Sequence, residues 1–157
     1  KLVVEAKGVV VSGGARGCDA FALGAAAITG SSLAILPFGL DHWRGPGPAL
    51  SACAPGAPFS TLAAMERNTL VYAASDTAII AQVSFRQGGT WHGAVGALRG
   101  KLCPLGVFVS DVATARDGSL ALVGLGATEL KSMGDVQAWL AAPKANATPR
   151  QPRLMSA

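Results

Sequence analysis

Residues 9–20 read VVVSGGARGCDA, and this stretch decides the fold. Val9-Val10-Val11 is a short, apolar, β-branched run bounded by glycines, which reads as a strand buried on both faces. It empties into Ser12-Gly13-Gly14-Ala15-Arg16-Gly17, and a helix is predicted to begin at once, near Cys18 or Asp19, and to run to about Thr29. Glycines permit backbone angles that turn successive N–H groups outward, and the helix N-terminus adds the positive end of its dipole. Arg16 brings a full charge to the same place, so the construction favours a phosphate. Spacing alone is equally compatible with a Gly-rich turn that binds nothing. The stretch is neither a Walker A loop, having no GK[ST], nor a well-formed G-x-G-x-x-G.

Upstream, Lys1–Lys7 reads as the last turns of a helix stopped by Gly8. Downstream, Leu33–Leu36 is a second buried strand ended by Pro37. Asp41–Pro58, rich in Pro and Gly, reads as a long irregular loop of the kind that usually serves binding. Thr61–Ala74 has helical spacing, with Leu62, Met65, Leu70 and Val71 apolar. Asp76–Ala81 is a third strand, Gly88-Gly89-Thr90 a turn into a helix over about Trp91–Leu98, and Leu105–Val109 a fourth strand. Leu120–Val123 is expected to be the fifth, and Ser132 to cap a last helix through Trp139-Leu140. Short apolar strands alternating with helices predict a Rossmann-like α/β domain, a mostly parallel sheet with helices on both faces. Such a sheet normally opens on a strand, and this chain opens inside a helix, so the opening, mid-sheet strand is expected to be absent.

Composition agrees with a single domain. Of 157 residues, 50% are apolar and 14% charged, and the mean hydropathy is +0.40. That is enough to bury a core and excludes disorder except at the ends; the absence of any Gly-x-y period excludes collagen. The domain is placed at residues 1–142, with 143–157 a flexible basic tail. Lys144, Arg150 and Arg153 lie in that tail, so the net charge of +4 leaves the folded part nearly neutral. A nucleic-acid reading therefore needs a local patch. One candidate is Arg67, Arg86, Arg99 and Lys101, a stretch that contains Asp76 as its one acid. Three cysteines (Cys18, Cys53, Cys103) without C-x-x-C suggest no disulfide framework and no metal site, and no signal segment is visible, which points to the cytoplasm. The uncharged run Ala20–Leu40 is long enough to span a bilayer. Gly30-Ser31-Ser32 interrupts it and Asp19 and Pro37 bound it, so it is predicted to be a helix and then a strand, with no membrane segment.

Two further stretches carry chemistry. Gln87-Gly88-Gly89-Thr90 repeats the strand, glycine turn and helix arrangement and offers a second phosphate nest. Arg67 and Asn68 add a guanidinium that can clamp a phosphate bidentately and an amide that can bond a base edge or the backbone; alone, Arg67 would read as a surface ion pair. Cys18 reads as a small residue packed under the loop, His92 as an ordinary half-buried histidine, and Asp19 as a helix cap. His42-Trp43-Arg44 reads equally as a stacking and charge lid or as loop packing. Trp139 and Leu140 read as core or dimer contacts.

Taken together, VVSGGARGCDAFALGAA, AILPFGLD, the Arg67-Asn68 pair, ASDTAII, the GGT turn and VGLGATELKSMGDVQAWL resemble, in collinear order to about Leu140, the DNA-processing protein A (DprA) family. The resemblance implies a Rossmann-like domain that binds single-stranded DNA through phosphate contacts in a basic pocket, loads a recombinase during natural transformation, and is not an enzyme. No cofactor is expected, and a homodimer is. The residues expected to hold the phosphates are Ser12, Gly13, Gly14, Ala15, Arg16, Gly17, Arg67, Asn68, Gly88, Gly89 and Thr90, with Arg44, Arg86 and Lys101 as nearby charge. The chain departs from the family pattern: Ala64 stands where the family has an aromatic, Thr69 where it has a second arginine, and Gln82 where it has a glutamate. The family's S-G-S turn is here Gly88-Gly89-Thr90, and its preceding strand and G-S-R turn are absent. The GGT turn is also similar to the P-G-G-x-G-T turn of the related Lonely Guy nucleotide hydrolases, which makes a nucleotide-binding or nucleoside-monophosphate-cleaving protein the alternative. That chemistry needs a positioned carboxylate; here Thr90 is followed by Trp91, His92 and Gly93, and no acid comes before Asp111.

Overall fold

The computed structural model describes residues 2–109 and 113–142; the expected tail, 143–157, lies outside them. A first helix, α1 (Leu2–Glu5), is followed by β1 (Val10–Ser12), α2 (Cys18–Ala27), β2 (Ser32–Leu36), a short 3-10 turn (Leu40–His42) and β3 (Ala49–Ser51). Then come α3 (Thr61–Ala73), β4 (Ala78–Ile80), α4 (Gly88–Gly100), β5 (Leu105–Phe108), α5 (Ala113–Gly124), β6 (Thr128–Leu130) and α6 (Met133–Ala141). The expected α/β, Rossmann-like, parallel architecture is present, and among the described residues no strand precedes β1.

The strands form two parallel three-stranded sheets, in the orders β1-β2-β3 and β4-β5-β6. In the first, Val10 pairs with Ser32 and Ser12 with Ala34, and Ala34 with Ala49. In the second, Ala78 pairs with Leu105 and Gly106 with Thr128. Among the described residues no hydrogen-bonded ladder joins β1 to β4. Each of those strands therefore has one neighbour and one unpaired edge.

Two core clusters hold the sheets to their helices. The larger surrounds β5, where Val107 is packed with Ile80, Trp91, Ala94, Leu122 and Ala127. The smaller joins Leu23 of α2 to Ala34 and Leu36 of β2, with Phe38 and Trp43 packed against it. α4 suits its place because Trp91, Ala94 and Ala97 recur at helical spacing and are all buried. It ends at Lys101, which takes a left-handed conformation (φ 50°) and donates its N–H to the carbonyls of Ala97 and Leu98, a helix stop that glycine usually supplies. The uncharged run Ala20–Leu40 resolves into α2 and β2, and no described helix is long and apolar enough to cross a membrane.

Three sequence expectations are corrected. Leu120–Val123 is not a strand but the last part of α5, because Ala115, Ser119 and Leu122, each at 0% exposure, recur at the i, i+4, i+7 spacing of a buried helical face. The strand follows at Thr128–Leu130, where two polar residues conceal it. The stretch Asp41–Pro58 is not wholly irregular, since Ala49–Ser51 pairs along β2. Finally, α4 starts at Gly88 and not near Trp91, so the second glycine turn is the first turn of the helix.

Leu122 is fully buried at the centre of the larger cluster, so Leu122→Ala leaves a cavity. A loss of about 2–5 kcal/mol in chemical denaturation is expected; a loss under about 1 kcal/mol would show that this cluster is not close-packed.

Candidate nucleic-acid interface

At the carboxyl ends of β1 and β4 the chain encloses an open cavity of about 1030 Å³, at the upper end of the roughly 300–1,000 Å³ common for small-ligand sites. Its walls come from the loop after β1, from α3, and from β4 with the first turn of α4. This is the place where open α/β sheets bind their ligands.

The loop after β1 contributes Ser12, Gly13, Gly14, Ala15 and Arg16 to the wall. Gly14 and Gly17 have φ of +66° and +95°, which an L side chain adopts only with strain. Gly17 occupies the N-cap of α2 and supplies no side chain to it. The N–H of Ala20 goes to the Ala15 carbonyl and that of Phe21 to the Gly17 carbonyl. For the amides between them, from Arg16 to Asp19, no acceptor is found among the described residues. Asp19 is therefore not the cap expected of it. It lies in the first turn of α2, on the cavity wall.

From α3 come Ala64, Arg67, Asn68, Val71 and Tyr72, with Ser75 just past its end; the helical residues form the face generated by steps of three and four residues. Arg67 is the decisive side chain. It is 8% exposed, its Nε is buried without a hydrogen-bond partner, and no ion pair engages it among the described residues. Its guanidinium lies directly on Gly13: a Cβ at that position would fall on the site of Arg67 Nη1. Burial pulls the Arg67 pKa below the ordinary arginine value, and the charge of Asp19 opposes that shift; the group stays a cation at neutral pH. Its neighbour Asn68 donates from Nδ2 to the carbonyl of Gly89 at 3.3 Å. One turn of α3 thus reaches both glycine stretches.

The third wall contains Gly89 and Thr90 at the start of α4, whose N-cap, Gln87, gives no side-chain hydrogen bond. By contrast, α3 is capped by Ser60, which accepts from the Ala63 N–H, and α6 by the Ser132–Asp135 capping box. Among the helices whose N-caps are described, α2 and α4, which both open onto this cavity, have no side-chain cap. Their first-turn N–H groups are intrinsically unpaired and carry the positive ends of two dipoles.

The remaining predicted residues fall elsewhere. Gly17 and Gly88 adjoin the wall without lining it. Arg44 is not site charge: it donates to the carbonyls of Asp41 and Trp43. Within the open lid reading, Trp43 packs on the smaller core cluster and bonds the Gly47 carbonyl, and none of His42, Trp43 and Arg44 lines the cavity. Lys101 lies beyond the far end of α4, roughly 20 Å from Gly88 at 1.5 Å per residue. Arg86 sits just outside, its guanidinium 5.1 Å from the centre of the Phe85 ring. His92 is exposed, in a smaller groove of about 290 Å³ with Glu66 and Thr69. Cys18 lines the cavity and is exposed.

The sequence reading missed the aromatic residues of the wall, Phe38, Phe59 and Tyr72. The spacing of Tyr72 from Arg67 and Asn68, five and four residues, would have placed it on the same helical face. Burial, reinforced by the charges of Cys103 and Asp19, pushes its phenol up to about 12.

The chain is a Rossmann-like α/β domain with a buried cation that has no ion-pair partner among the described residues and two uncapped helix ends at the carboxyl edge of its strands, an electrostatic setting that favours negative charge. The chain belongs to the DNA recombination-mediator protein A family, whose model matches residues 1–141. Among solved structures it is similar to DNA processing protein A from Helicobacter pylori, described for its single-stranded DNA binding mode, with 25% identity and a TM-score of 0.76 over 88% of this chain and 68% of that one. It is also similar to DNA processing protein A (DprA) from Streptococcus pneumoniae, with 24% identity and a TM-score of 0.75, covering 87% of this chain and 53% of that one. No curated protein matches the chain.

The chain has a single tyrosine, so phenolate absorbance reads Tyr72 directly. It should titrate near pH 12 in the folded protein and near 10 in denaturant. Between those values the unfolded chain has lost a proton that the folded one keeps, so stability falls as pH rises through this window. A folded-state titration near 10 would remove Tyr72 from the buried wall.

Proposed function

We propose that this chain binds single-stranded DNA through its phosphates, at Ser12–Gly17, Arg67, Asn68 and Gly88–Thr90. The observation that carries the reading is Arg67: a buried guanidinium with an unpartnered Nε, set on Gly13 between two uncapped helix N-termini. Burying a charge without a counter-charge is costly, and an anion in the cavity supplies the missing partner. Family membership and the single-stranded DNA binding of the Helicobacter pylori protein favour DNA as that anion. Loading of a recombinase, a role in natural transformation, self-association as a homodimer and a cytoplasmic location belong to the same proposal.

The test is a salt titration with oligonucleotides of increasing length. Affinity should grow with length, and two phosphates neutralised on a single strand give a slope of about −1.4 in log K against log salt. Saturation by a mononucleotide, with affinity independent of length, would assign the cavity to a small nucleotide and end the DNA reading.

Arg67→Met separates binding from folding. Removing a charge-assisted contact should weaken oligonucleotide binding about 10- to 100-fold. Replacing an uncompensated buried charge by an apolar chain of similar length should leave the free protein as stable as before, or more so. Unchanged affinity would take Arg67 out of the site.

A further inference from the structure

The cavity wall contains a side chain that phosphate contacts do not use. Of its three aromatic residues, Phe38 packs on the smaller core cluster and Tyr72 on the larger. Phe59 belongs to neither cluster and is 62% exposed, yet it lines the same cavity as Arg67.

Its position is set from both sides. Pro58 precedes it with a fixed φ, and Ser60 follows as the N-cap of α3, its hydroxyl accepting the Ala63 N–H at 3.1 Å. Phe59 is thus the residue before the cap and Ala64 the fourth residue of the helix, the two positions that form a hydrophobic staple. Both line the cavity. A staple accounts for part of the ring, but Ala64 offers only a methyl group to cover it, and most of the ring surface stays open. Arg67 follows Ala64 by about one helical turn, so along α3 the wall runs from an open aromatic ring at the rim to a guanidinium at the floor.

We propose that Phe59 is the stacking platform for a nucleobase whose neighbouring phosphate is held at Arg67. This inference rests on the single-stranded DNA reading and adds the base to it. An aromatic ring stacks on the π-face of any base, so the platform confers affinity for unpaired bases without sequence preference. It also favours single strands over duplexes, in which both faces of every base are occupied by neighbours.

The experiment compares two probes with equal numbers of phosphates, an oligodeoxythymidylate and an oligonucleotide of the same length made of abasic residues. Phe59→Ala should weaken the thymidylate probe about tenfold, within the range for loss of one stacked base, and leave the abasic probe unchanged. Phe59→Trp should keep wild-type affinity and show, relative to the wild-type signal, added tryptophan quenching by the thymidylate probe alone. Equal loss on both probes, or no loss on either, overturns the platform. If Arg67→Met loses both probes while Phe59→Ala loses neither, the platform falls and the binding reading stands. If the unsubstituted chain binds neither probe, the binding reading falls and takes the platform with it.

Discussion

The contact between Arg67 and Gly13 sets the geometry of everything around it. The guanidinium occupies the volume where any other residue at position 13 would place its Cβ, so the glycine is needed for its lack of a side chain and not only for its freedom of turn. Arg67 comes from α3 and Gly13 from the end of β1, so this contact joins the first sheet to the helix that precedes the second. Asn68, one position on, fastens the same helix to α4 through the Gly89 carbonyl. A single turn of α3 therefore spaces the two glycine stretches, and their separation is fixed by the helix and not by loops.

The arrangement is locally unfavourable. A buried arginine ordinarily has a bidentate carboxylate partner; here Asp19 acts on Arg67 through its field alone, and Nε has no partner. The helix ends tell the same story, since serine caps were used on α3 and α6 and omitted on α2 and α4. On the proposed reading, stability is withheld where an incoming anion would restore it, as expected of binding sites that trade folding free energy for affinity. Elsewhere the cavity is ordinary: Cys103 sits buried behind it, its thiol pushed up to about 11 by burial, and serves as packing.

How much of this was legible in the sequence depended on range. The β1–loop–α2 unit could be read because its signals are local: three valines, clustered glycines and an alanine-rich helix in twelve consecutive residues and their sequel. The capped α6 was legible for the same reason, through Ser132. β3 was hidden because Ala49–Ser51 has no pattern of its own and becomes a strand only by pairing along β2. Leu120–Val123 misled because a short apolar run has no period, and the residues that reveal the helix, Ala115 and Ser119, lie outside it. For Arg67 the sequence alone favoured a surface ion pair; its burial is decided by Gly13, fifty-four positions away, and no local pattern encodes that distance.

The unpaired inner edges of β1 and β4 have a mechanical consequence. A continuous sheet carries load across itself through backbone rungs; among the described residues none joins β1 to β4, and Arg67 and Asn68 of α3 reach the loop after β1 and the start of α4. On the proposed reading, a polyanion resting on both amide rims would bridge the elements that carry them.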